Sequence, residues 1–344
     1  MKQKSGDESV NLQAGGNIVV GVSYQDARQI ALDVYKANAV ELAAAAKQAA
    51  IARAEELTDR FLGELKEKNA PAVSQASRPD FQIALLEAQK SYARTGDKDL
   101  AGVLVDLLVN RTKQEPRSLR EIVLTESLQV VPRLTVAQIN TISAIFLLRY
   151  TENRLVANVE HLGQWFDRYM APLVSSLGKA DSVYRHLVYS GAATQELTSI
   201  TLAGIFKAHY PGVFTKGFDV TNMKDLTDKY PNLAQMLIDA PMEGRKMLPP
   251  ITNTILKQML DSAGVHDAKD IERLVNAQKS DLVPDPEVLQ RLTATREGFE
   301  PLANVWDNSS LKSMTLTSVG TAIGHANFQR LSGDQAPLSI WIPD

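Results

Sequence analysis

The stretch "HYPGVFTKGF" gathers His209, Tyr210, Phe214, Lys216 and Phe218. An imidazole, a phenol and an amine this close, joined by Tyr189 from upstream, could line a ligand pocket. An aromatic cluster beside a Pro-Gly turn also serves to staple a loop onto a core. Nothing polar converges in the sequence to favour the pocket, so the staple is the favoured reading and the pocket the alternative.

The remaining chemistry-bearing residues form no motif. The histidines are His161, His186, His209, His266 and His325, and none sits at a His-x3-His or His-Glu-x2-His spacing. The sequence therefore predicts no metal site. Cysteine is absent, which removes disulfides, thiolate catalysis and Cys-ligated zinc. Serines stand near glycines in "VYSGAAT" and "LTSVGTAIG", but neither forms the Gly-x-Ser-x-Gly elbow of a hydrolase. "AGGNIVVG" lacks the Gly-x-Gly-x-x-Gly spacing and the Lys-Ser/Thr of a phosphate loop, and a strand rather than a helix follows its glycines. No cofactor is expected, and enzymatic activity has no positive support.

Composition sets the frame. The chain has 344 residues, 44% hydrophobic and 22% charged, with a net charge of −3. That fits a globular protein of about two domains. A basic excess, the usual footprint of a nucleic-acid binder, is missing, so nucleic acid is disfavoured as a partner. No apolar run approaches the ~18 residues of a membrane span. The opening "MKQKSGDESVNLQ" has no apolar run behind its lysines and does not read as a secretory signal. A cytoplasmic protein is the expectation.

The elements that position these residues read as mainly α. Residues 1–22 form a leader: Val10, Leu12 and Ala14 alternate with polar residues, Gly15-Gly16 supplies a hairpin turn, and "NIVVGV" returns. Ser23 then caps a long alanine-rich helix, with Asp26 at the spacing of a capping box. From Tyr24 to about Lys68 no proline intervenes, and strong helix formers dominate. Residues 23–70 thus read as a stalk roughly 65 Å long. "NAPAVSQASRPD" breaks it. A helical domain over 78–178 follows, with helices near 80–94, 97–114, 116–131, 135–151 and 155–178. A second helical region over 179–310 carries a strand or two around Ser190-Gly191, a type II turn at Tyr210-Pro211-Gly212, and helices near 222–239, 252–263, 267–277 and 286–297. Residues 311–344 read as strand (311–316), helix (318–331) and strand (338–342), the two strands pairing, with a winged-helix look. Residues 245–344 nevertheless hold 10 Lys/Arg against 12 Asp/Glu, which weighs against DNA reading.

An isolated hairpin is marginal in water, and its edges carry unpaired backbone groups. The leader must dock on its own chain or pair with the leaders of other copies. A long helix directly behind it would hold parallel copies together and raise the leader's local concentration. Its 3-4 stripe, which includes Ala44 and Ile51, is interrupted by Glu41, Gln48 and Glu55, so a close helix contact is expected rather than a strong zipper. The residues expected to mediate self-assembly are Leu12, Gly15, Gly16, Asn17, Ile18, Ala44 and Ile51. The competing reading is a monomer whose helix folds back on the body.

The leader pattern Ser5-Gly6-Asp7-x-Ser9-x-Asn11-x-Gln13-Ala14-Gly15-Gly16, followed by "SYQDARQIALDVYKAN", resembles an uncharacterised bacterial family with this opening. "YARTGDKDLAGVLVDLLVNR", "IFLLRYT", "YPGVFTKGF" and "LSIWI" extend the resemblance over nearly the whole chain. It implies no particular activity. "LAGVLVDLL…SLREIVLTESLQVVPRLT" is distantly similar to helical modules of bacterial abortive-infection proteins, which implies a setting in phage defence or stress response. The expected function is that of a non-enzymatic, self-assembling interaction protein whose partner is itself, an unknown protein or a small ligand. The alternatives are a ligand-sensing or enzymatic body with a pocket at Tyr189, His209, Tyr210 and Lys216, and a DNA-binding regulator acting through the C-terminal element.

Overall fold

The computed structural model describes residues 24–69, 72 and 79–343, with the backbone alone for residues 24–42 and Asn253. The predicted leader lies outside the described residues. The fold is mainly helical. Its first half runs α1 (Tyr24–Asn69), α2 (Pro79–Thr95), α3 (Lys98–Arg111), α4 (Leu119–Val130) and α5 (Val136–Tyr150). These boundaries follow local signals. The Asp97 carboxylate accepts from the Asp99 and Leu100 amides at the start of α3. Thr135 and Gln138 form a full capping box on α5, satisfying donors that a helix start leaves open.

Next come α6 (Val159–Trp165), a π-turn over Phe166–Met170, α7 (Ala171–Val174) and α8 (Asp181–Tyr189). One continuous helix over 155–178 was expected. Pro172 has no N–H for the Arg168 carbonyl, so the ladder slips by one residue and the Ala171 amide bonds the Phe166 carbonyl. The chain continues through strand β1 (Ala193–Gln195), α9 (Leu202–His209) and α10 (Pro211–Phe214). Pro211 opens a helical turn, not the expected type II turn. Then come α11 (Lys224–Lys229), α12 (Pro231–Met236), β2 (Ile238–Asp239), β3 (Lys246–Met247), α13 (Asn253–Ser262), α14 (Ala268–Ser280), α15 (Asp285–Thr295) and α16 (Phe299–Asp307). Pro231 divides the helix expected over 222–239.

The C-terminal element differs from the strand–helix–strand expectation. Strand β4 (Met314–Leu316) and helix α17 (Ser318–Ser332) form, but Leu338–Ile340 is a 3-10 turn. The partner of β4 is β1, antiparallel, with Thr194 opposite Thr315. Trp341 explains the missing strand: its indole N–H donates to the Tyr150 carbonyl at 2.6 Å and its ring packs on Phe146 at 4.9 Å. Nor does α17 serve as a reading helix, since Gly320 to Asn327 are all buried. It is the central helix of the body and packs on α3, α4 and α5. Gly320 lies against the Ala192 carbonyl, and a Cβ on Gly324 would stand 2.8 Å from the Phe146 Cβ. These glycines allow close approach; they do not mark a wing.

Two cores divide the chain differently from the expected 78–178, 179–310 and 311–344. The larger core runs from Leu57 to Phe214 and resumes from Val283 to Ile342. The smaller lies wholly between Phe218 and Ala277. The last turns of the expected stalk are thus part of the body, and residues 216–281 are an insertion into it. Its neck is a short antiparallel bridge. Thr215 pairs with Leu282, the Lys216 amide donates to the Asp281 carbonyl at 2.8 Å and the Val283 amide to the Phe214 carbonyl at 2.9 Å.

Candidate functional site

Helix α1 meets the body along one face. Leu57, Phe61 and Leu65, spaced four apart, are buried to 1% exposure or less. Each contributes roughly 1.5–3 kcal/mol by leaving water. The Phe61 ring lies 5.5 Å from that of Phe81 on α2. Polar contacts flank the seam in antiparallel order. The Gln89 amide donates to the Thr58 hydroxyl, the Tyr92 hydroxyl to Glu56 and the Arg53 guanidinium to the Ala93 carbonyl, at 2.8, 2.8 and 2.9 Å. At the other end Lys68 reaches the buried Asp106 at 2.8 Å. Burial pushes the Asp106 carboxyl up. For Lys68, burial pulls the pKa down, but its hydrogen bonds to Asp106 and Glu64 and their charges raise it on balance.

Beyond Arg53 the partner helix runs out, because α2 stops at Thr95. Residues Ala43 to Ala49 are exposed on every side of α1. Ala44 is one of them, and Ile51 is 48% exposed. Leu12, Gly15, Gly16, Asn17 and Ile18 lie outside the described residues.

The four residues of the expected pocket are not brought together around a cavity. Tyr189 is 87% exposed, with its ring 6.4 Å from that of His186. His209 packs edge-on against Tyr210 at 6.1 Å, and burial lowers its pKa. Tyr210 is buried and accepts from the Asn153 amide at 2.8 Å, with burial pushing its pKa up to about 12. Lys216 pairs with Asp281 at 3.1 Å. The segment staples two bodies together: Phe214 sits in the larger core and Phe218 in the smaller.

A cleft that sequence reading missed opens on the far side of Asn153. A cavity of about 220 Å³ is walled by Leu147, Trp165, Tyr169, Phe328 and Trp341, with Glu152 and Arg154 also on its lining. A second lobe of about 360 Å³ shares Asn153, Trp165 and Tyr169 with it and adds His161 and Gln164. The π-turn sets Trp165 and Tyr169 where they both reach the cleft. Asp334 closes one wall, accepting from the Tyr169 hydroxyl at 2.8 Å and from Arg168 at 3.0 Å. Desolvation, followed by the bond to Asp334, raises the Tyr169 pKa. Glu152 is raised by desolvation, against the pull of Lys279 and Arg154. Among the described residues no three His, Asp or Glu side chains converge as a metal site requires, and no helix is long and apolar enough to cross a membrane.

A family model whose description reads only ":-like" matches residues 21–342. The chain belongs to that family. The matched span runs from just before α1 to beyond the closing turn at Leu338–Ile340, and so brackets both cores. The family's description names no activity. No curated protein and no solved structure matches the chain.

Proposed function

We propose that the protein is a self-assembling interaction protein whose copies associate through α1 and the leader before it. One observation carries the reading: residues 43–49 of a 46-residue helix are exposed all round, while the same helix is anchored firmly from Leu57 onward. A helix without tertiary contacts is marginal in water, because its stability comes mostly from packing. Alanines at 43–46 leave room for another helix to come close. A second copy supplies such a helix in register, and association of the helices would gather the leaders at one end. We place this assembly in phage defence or stress response, the setting that the sequence resemblance noted for the α3–α4 region would imply.

The test is solution mass by light scattering for the full chain, for a chain lacking residues 1–22, and for the Ala44→Glu/Ile51→Glu variant. A multimer that falls toward monomer in the two altered chains, with unchanged helical content, is the expected result. A monomeric full chain would overturn the proposal.

A further inference from the structure

The cleft beside Asn153 holds groups that the fold leaves unused. Trp165 is only 6% exposed, and a buried indole N–H normally finds an acceptor. This one has no hydrogen-bond partner among the described residues. It is also not one of the sealed unpartnered atoms, which are Arg149 Nε, Thr252 Oγ1 and His325 Nδ1. It is therefore not sealed from solvent, and its side chain lines the cleft. The Glu152 carboxylate and the Arg154 guanidinium line the same cavity, two residues apart on one loop. Both are exposed at the rim of that cavity. Lys279 and Arg154 act on Glu152 through space, and neither Glu152 nor Arg154 forms an ion pair or a hydrogen bond with any described residue. Asp334 and Arg168 are already committed to each other. The loop carrying the two free charges is fixed from behind by the Tyr210 hydroxyl, which holds the Asn153 amide.

We propose that this cleft binds a free α-amino acid with an apolar side chain. Its ammonium lies at Glu152, its carboxylate at Arg154, and its side chain against Trp165, Tyr169 and Trp341. The charges decide the class. A simple amine would meet only Glu152 of the two rim charges, and a fatty acid only Arg154. A phosphate ester would meet one free guanidinium and be repelled by the neighbouring carboxylate. A ligand with both charges next to an apolar body meets both rim groups and the aromatic walls together. The inner lobe suits an aromatic or branched side chain. With the outer lobe the space falls within the ~300–1,000 Å³ of small-molecule sites. The π-turn at the wall is a second pointer, since single π-turns inside helices are frequent at functional sites.

The experiment is a titration of the full chain with L-phenylalanine and with L-leucine, following tryptophan emission and melting temperature. Two of the three tryptophans, Trp165 and Trp341, line the cleft, and a ligand that prefers the folded state raises its melting point. A saturable response to either amino acid is expected. Phenethylamine, which lacks the carboxylate, and 3-phenylpropionate, which lacks the amine, should bind at least tenfold more weakly. Glu152→Gln and Arg154→Gln should each weaken amino-acid binding at least tenfold while leaving the unliganded melting point in place. No saturable response to either amino acid overturns the proposal. So do equal binding of the two analogues and undiminished binding by both variants.

Discussion

The His325 imidazole donates its Nε2–H to the Ala336 carbonyl at 2.7 Å, which leaves Nδ1 as a sealed lone pair with no partner. The ring is neutral in the folded chain. Burial lowers its pKa from the ordinary 6.5 to about 4, with Lys113 adding to the effect. As pH falls below about 6.5, the unfolded chain takes up a proton that the folded chain refuses. Stability from this group is therefore complete above that pH and is lost as pH falls toward 4, by up to about 3 kcal/mol. Denaturant unfolding at pH 7, 5.5 and 4 should show the loss, and His325→Gln should show a shallower one. An identical pH slope in the variant would refute this.

Phe61 anchors α1 through the Phe81 ring, whereas Ile51 lies on the unpartnered stretch. Phe61→Ala should cost about 3–5 kcal/mol, and Ile51→Ala less than about 0.5 kcal/mol in folding stability. Urea midpoints of the two variants measure the contrast. Comparable losses would mean that the helix is anchored over more of its length than the buried face suggests.

Gly320 stands against the Ala192 carbonyl, where no Cβ fits without a shift of backbone. Gly320→Ala should destabilise by about 3 kcal/mol, the upper end for overpacking. Gly178, with open space around it, provides the matched control, and Gly178→Ala should leave the melting temperature within a few degrees of the parent.

Asp106 is 5% exposed at its side chain, and Lys68 neutralises it. Lys68→Met leaves a buried carboxylate without its cation and should cost about 2–3 kcal/mol, below the range for a fully buried pair because Lys68 is partly exposed. Adding Asp106→Asn should recover most of that. A double-mutant cycle showing no coupling would dismiss the pair as a stabilising contact.

Much of this architecture was legible in the sequence where local chemistry decides it. Asp97 and Thr135 announce α3 and α5, and the absence of proline from Tyr24 to Lys68 gives α1 its length. Sequence patterns misled where tertiary packing overrode them. "LSIWI" alternates like a strand, yet Trp341 is held by the Tyr150 carbonyl and the Phe146 ring, both far away in the chain. The glycines of α17 look like a wing and are in fact approach points for Ala192 and Phe146. Helix α16 escaped notice because Pro301 sits near its start, where a missing N–H costs nothing. The cleft could not have been found by spacing. Its walls come from Leu147 and Trp165 on one side and from Phe328 and Trp341 on the other, and only the folding of α17 against α5 brings them together. No short motif records that meeting.

The neck at Thr215 and Leu282 has a consequence for how this chain could change over generations. The polypeptide leaves the larger core and re-enters it through neighbouring positions, so the path of the body is complete without the insertion. A segment with its own core and a single doorway can be gained, lost or exchanged as one cassette, while α5, α15 and α17 keep their neighbours. Variation in length within the family should therefore gather between Phe214 and Val283, at the one place where the body has nothing to re-thread.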